Sequence, residues 1–80
     1  MPEISVRLFA ALRELAGSSR VEAEGRTVGE VIEALGARYG ERFEKIARAG
    51  SAVVDGERAD PATPLTGAEE VALLPPVSGG

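Results

Sequence analysis

The 80-residue sequence has no cysteine, histidine, tryptophan, asparagine or glutamine. The lack of cysteine excludes disulfides, thiolate nucleophiles and any side chain that could carry a persulfide. The lack of histidine removes imidazole acid–base chemistry, and the two absences together remove the usual nitrogen and sulfur ligands of zinc. Glutamates remain, but they are scattered at the spacing of solvated helix surfaces and form no clustered pair. Basic charge is also scarce: the net charge is −4, and Lys45 is the only lysine. A nucleic-acid partner would need a basic stripe, so none is expected. No apolar run approaches the roughly 20 residues of a membrane span, and the first residues do not read as a secretion signal. The expectation is a soluble cytoplasmic protein with no membrane or nucleic-acid partner and no metal. Its chemistry depends on other proteins.

Hydrophobic residues at 44% and charged residues at 28% are ordinary for a globular chain. A chain this short supports one modest core, with stability on the order of 4–12 kcal/mol. Glu3 to Phe9 alternates strictly, with Ile4, Val6 and Leu8 to one side and Ser5, Arg7 and Phe9 to the other. That pattern predicts a half-buried strand. Ala10 to Ala16 is rich in helix formers and is followed by Gly17, a natural helix stop. Leu12, Leu15 and Ala16 are expected to face inward. Val21 and Ala23 alternate with charges in a second strand over residues 20–24. Thr27 and Glu30 have capping-box spacing, each expected to satisfy the other's backbone N–H. Val28, Val31, Ile32, Leu35 and Tyr39 mark the clearest amphipathic helix, weakened by Gly36 and stopped at Gly40.

Residues 41–49 read as a shorter helix or turn, with Phe43, Ile46 and Ala47 inward. Ser51 to Val54 is a β-branched strand, Asp55-Gly56 a two-residue hairpin turn, and residues 57–59 the return. A turn-rich loop through Pro61 and Pro64 leads to a last strand, residues 70–74. Its Val71 and Leu73 share one face, Ala72 and Leu74 the other. This order predicts an α+β domain over residues 1–75, with a mixed sheet of four to five strands and one main helix packed on one face. The other face stays open. Phe9 and Leu74 then fall on it with Arg7 beside them, as a candidate docking surface. The alternative is that Phe9 turns back into the core at the strand end.

Residues 76–80 are expected to form a flexible tail. Pro75 and Pro76 cannot donate to a sheet and favour extended backbone, which directs Val77-Ser78-Gly79-Gly80 outward. Fully extended, the stretch from Pro75 to Gly80 reaches roughly 20 Å. Gly79 and Gly80 lack side chains, so they fit a narrow tunnel and leave a terminal carboxyl open to attack. With no cysteine present, any sulfur the chain carries must sit on that carboxyl. The alternative is an inert, frayed end.

Three segments together resemble the small subunit of molybdopterin synthase. They are Phe9-Ala10-Ala11-Leu12-Arg13-Glu14-Leu15-Ala16-Gly17, Asp55-Gly56-Glu57, and Glu70-Val71-Ala72-Leu73-Leu74-Pro75-Pro76-Val77-Ser78-Gly79-Gly80. The resemblance runs over essentially the whole chain and implies a ubiquitin-like β-grasp fold. It implies that Gly80 is adenylated by a separate ubiquitin-activating-like adenylyltransferase using ATP. A desulfurase or rhodanese-type sulfur donor then converts the end to a thiocarboxylate. Inside the large catalytic subunit, that tail donates sulfur to cyclic pyranopterin monophosphate, and two transfers build the dithiolene of molybdopterin. The implied assembly is a heterotetramer, with no cofactor held permanently by the small subunit. Phe9 and Leu74 match the family's hydrophobic contact. Arg7 and the tail residues Pro75, Pro76, Val77 and Ser78 complete the expected partner-binding set.

Two departures stand out. Ala68 lies where the family has a Gly-Asp or Asp-Gly turn, and Leu74 replaces an aromatic seen in some members. Sulfur carriers for thiamine, cysteine or tRNA thiolation share the body and tail. A ubiquitin-like modifier of target lysines is a second class, and a plain interaction domain with an inert tail is a third.

Overall fold

Alternating apolar residues make strands at both ends of the chain, and a 3.6-residue apolar repeat makes the long helix between them. The computed structural model describes residues 2–77. In chain order the elements are β1 (Glu3–Leu8), α1 (Ala10–Ala16), β2 (Arg20–Glu24), α2 (Val28–Tyr39), α3 (Glu41–Ala49), β3 (Ser51–Val54), β4 (Glu57–Ala59) and β5 (Glu70–Leu74). The strands form one sheet in the order β2-β1-β5-β3-β4. β1 and β5 run parallel at its centre, and every other pairing is antiparallel. This is the ubiquitin-like β-grasp arrangement that the resemblance implies.

The core lies between the sheet and α2 with α3. Ile4, Val6 and Leu8 of β1 and Val71 and Leu73 of β5 are buried together with Val28, Val31 and Leu35 of α2 and Phe43 of α3. Each large-to-small truncation there costs roughly 2–5 kcal/mol, so two would exhaust the stability of so small a domain. Gly36 does more than loosen α2. A side chain on it would meet the side chain of Glu44, so glycine lets α3 fold back closely after Gly40.

Two local expectations need correction. Leu15 does not face inward; it is 38% exposed. At 100° per residue Ala16 lies about 40° from Leu12 around α1, whereas Leu15 lies about 60° away on the other flank. Ala16 therefore packs against the core and Leu15 does not. The capping box is also only half formed. The Glu30 N–H donates to Thr27 Oγ1 at 3.2 Å, but the Glu30 carboxylate accepts from the Arg26 N–H at 2.7 Å, not from Thr27. The first helical N–H groups are taken by the loop: Val28 donates to the Thr63 carbonyl at 3.1 Å and Gly29 to that of Pro61 at 2.9 Å. Leu65 anchors this loop in the core, at 5% exposure.

Candidate functional site

Strand side chains alternate, so the residues between the buried ones line the sheet's other face. Register sorts them into rows. Glu3 pairs with Glu24, and Ser5 with Glu22 and Glu70. In the next row Arg7 pairs with Arg20 and Ala72, Ala72 with Val53, and Val53 with Arg58. Leu74 pairs with Ser51. Phe9 and Leu74 each directly follow the paired residues Leu8 and Leu73. The sheet thus gathers Phe9, Leu74, Ala72 and Val53, all half-buried, into one apolar strip. The exposed Arg7 guanidinium lies over the Phe9 ring, 5.9 Å from its centroid.

Phe9 does not turn back into the core. Its backbone stays extended (φ −130°, ψ 150°), which carries the strand's alternation one residue further. The chain reverses at Ala10 instead, where φ is 50°. That left-handed conformation costs a non-glycine residue about 1–2 kcal/mol. The strain buys the abrupt start of α1 directly behind Phe9.

β5 ends at Leu74, and Pro75 takes the chain off the sheet. Pro75 is half-buried, Pro76 is exposed, and Val77 is 84% exposed. Beneath this exit sits Gly50, where a side chain would overlap the backbone of Leu74 and Pro75. Of the expected site residues, the fold brings Phe9, Leu74, Arg7 and Pro75 to one end of the open face, with Pro76 and Val77 following. Ser78, Gly79 and Gly80 lie outside the described residues.

Among the described residues, no group of three or more carboxylates could hold a metal, and no polar or charged residue is buried. No described helix is long and apolar enough to cross a membrane. The arrangement offers a surface on which to dock and a point from which the chain departs.

The sequence profile of the ThiS family matches residues 6–80. The chain belongs to the ThiS family. Its members are ubiquitin-like sulfur carriers. No curated protein matches the sequence significantly. Among solved structures, this ThiS-family chain is similar to small archaeal modifier protein 1 of Methanosarcina acetivorans. The identity is 29%, covering 100% of this chain and 98% of the other, with a TM-score of 0.86. It is similar to Mycobacterium tuberculosis CysO at 27% identity, covering 92% and 99% of the two chains, with a TM-score of 0.77. A Pyrococcus furiosus protein assigned as subunit 1 of a molybdopterin converting factor is 26% identical, covering 96% and 100%, with a TM-score of 0.79.

Sequence reasoning did not single out Arg20, Arg58 or Gly50 of this ThiS-family chain. The two arginines join the site only through strand register. Gly50 had a signal of its own, a glycine directly preceding a β-branched strand, but what it touches is 24 residues away.

Proposed function

We propose that this ThiS-family chain is the sulfur-carrying small subunit of a molybdopterin synthase. The observation that carries the reading is that the apolar strip ends at Leu74, where Pro75 takes the chain off the sheet. Docking and delivery share one end of the molecule. A carboxylate is a poor electrophile, so the Gly80 carboxyl is first activated on a partner adenylyltransferase. Its oxygen attacks the α-phosphorus of ATP, pyrophosphate leaves, and an acyl-adenylate forms. Sulfide from the donor protein attacks the acyl carbon and AMP leaves. The net change is one oxygen replaced by sulfur.

In the large subunit the thiocarboxylate sulfur bonds to a carbon of cyclic pyranopterin monophosphate as that carbon's bond to oxygen breaks, the oxygen leaving on the phosphate or, once protonated, as water. Hydrolysis of the acyl–sulfur bond returns the carboxylate, and a second loaded tail supplies the second sulfur. Two small subunits on a large-subunit dimer meet this need. Gly79 and Gly80 present no side chain to either partner site. The likeness to CysO and to small archaeal modifier protein 1 favours a second reading, in which the same loaded tail serves another acceptor or joins target lysines.

The test incubates the chain with the adenylyltransferase, ATP and sulfide and takes its intact mass. A gain of one sulfur for one oxygen is expected, followed by molybdopterin formation with the large subunit and cyclic pyranopterin monophosphate. Removing Gly79 and Gly80, or adding a residue after Gly80, is expected to abolish loading and leave the melting temperature unchanged. Lysine conjugates in place of molybdopterin select the modifier reading. Sulfur transfer that survives loss of Gly79 and Gly80 rules the tail mechanism out.

A further inference from the structure

The charges of the open face are sorted along the strands. Register places Glu3, Glu22, Glu24 and Glu70 toward the starts of β1 and β5, and Arg7, Arg20 and Arg58 in one row nearer their ends. Four residues separate Glu3 from Arg7, about 13 Å of strand. All seven side chains belong to exposed residues. The tail leaves at the basic end. Within the row, Arg20 is committed to Glu70 at 3.2 Å and donates to Ser5 Oγ at 3.4 Å. Arg58 donates to Ser51 Oγ at 3.3 Å. Among the described residues, neither Arg7 nor Arg58 has a carboxylate within 4.0 Å. In a chain of net charge −4, two guanidiniums that pair with no carboxylate among the described residues thus flank the apolar pair Ala72 and Val53 from opposite sides.

We infer that the open face is a polarised docking surface for a protein of complementary pattern. That partner presents an apolar centre, carboxylates opposite Arg7 and Arg58 where the tail enters, and cationic groups opposite the glutamate end. The inference rests on the reading that partner proteins take up the tail, and it adds the charge pattern by which they do so. Apolar contact alone is nearly indifferent to a half-turn about the axis normal to the sheet. The charge pattern is not. Docked the wrong way round, the arginines would meet cations, the glutamates would meet carboxylates, and the tail would point away from its acceptor. The same pattern repels a nucleic-acid backbone, which would meet four glutamates on this face. Rim charges of this kind speed and orient encounter, and salt screens them.

The experiment titrates the full chain against the purified large subunit and, separately, the purified adenylyltransferase, at low and high salt. The variant Arg7→Glu/Arg58→Glu is expected to bind at least about tenfold more weakly at low salt and to lose most of the salt dependence. Arg7→Lys/Arg58→Lys is expected to keep both, and Glu22→Arg/Glu24→Arg to weaken binding from the other pole. A thermal melt of each variant checks that the fold persists. Unchanged affinity and salt response in Arg7→Glu/Arg58→Glu would overturn the inference. Charge-dependent binding by a chain that never gains sulfur would uphold the docking surface and remove the sulfur-carrier reading. Sulfur loading with charge-independent binding removes this inference alone. Binding to neither protein overturns both.

Discussion

Gly50 lies directly beneath Leu74, so closely that a side chain there would overlap the Leu74 carbonyl oxygen. The Gly50 N–H closes α3 by donating to the carbonyls of Ile46 at 3.0 Å and Ala47 at 3.3 Å. The next residue, Ser51, pairs with Leu74 at the start of β3. The end of a helix, the start of a strand and the departure of the tail therefore meet at one crowded point. Gly50→Ala is expected to cost about 1–3 kcal/mol, as overpacking does. It should also slow sulfur loading, because the Leu74–Pro75 backbone must move away. Denaturant unfolding and a loading time course measure the two effects, and wild-type behaviour in both would contradict this account.

The two phenylalanines separate stability from docking. Phe43 is fully buried and stacks at a tilt on Tyr39, with ring centroids 5.5 Å apart. Phe43→Ala should cost roughly 3–5 kcal/mol, a large share of the stability of so small a domain. Phe9 is half-buried on the open face, so Phe9→Ala should cost no more than about 1.5 kcal/mol. Its effect is expected on binding to the large subunit, which should weaken by about 2 kcal/mol or more, near thirtyfold. Melting and titration of the two variants side by side make the comparison. A Phe9→Ala chain as unstable as Phe43→Ala would place Phe9 in the core after all.

Glu69 makes the loop before β5 sensitive to acid. Its carboxylate accepts from the Thr66 N–H at 2.9 Å, the Gly67 N–H at 3.1 Å and the Thr66 hydroxyl at 3.1 Å. These bonds, that from the Thr66 N–H foremost, hold its pKa below the ordinary 4.5, while desolvation works the other way. The unfolded chain thus takes up this proton at a higher pH than the folded one. The clasp's contribution is complete above pH 4.5 and is lost as pH falls through the lower folded value. Glu69→Gln removes the titrating group. The difference in melting temperature between wild type and Glu69→Gln should be largest near neutral pH and shrink in acid. A difference that is constant with pH would contradict the clasp. The clasp also accounts for Ala68: the carboxylate of its neighbour organises this turn, and no Gly-Asp pair is required.

Much of the fold was legible because its causes are local. Alternation at Ile4, Val6 and Leu8 sets which side of β1 is apolar whatever that side packs against. Asp55-Gly56 makes a tight hairpin because both residues tolerate positive φ, at 50° and 86°. Leu15 was not legible. In a helix of seven residues, Leu15 and Ala16 are equally good candidates to follow Leu12, and only the direction of the neighbouring core chooses between them. Glu30 was half legible. Its bond to Arg26 depends on how the chain enters α2, which the carbonyls of Pro61 and Thr63 arrange from far along the sequence.

The amino-acid order by itself determined the strands, the long helix, the apolar side of each and the proline- and glycine-rich end, since each depends on residues within a few positions of one another. Tertiary structure alone decided that Arg7, Arg20 and Arg58 stand in one row and that Gly50 lies under Leu74. Strand order and register settle both, and these follow from packing summed over the whole core, which no local pattern encodes.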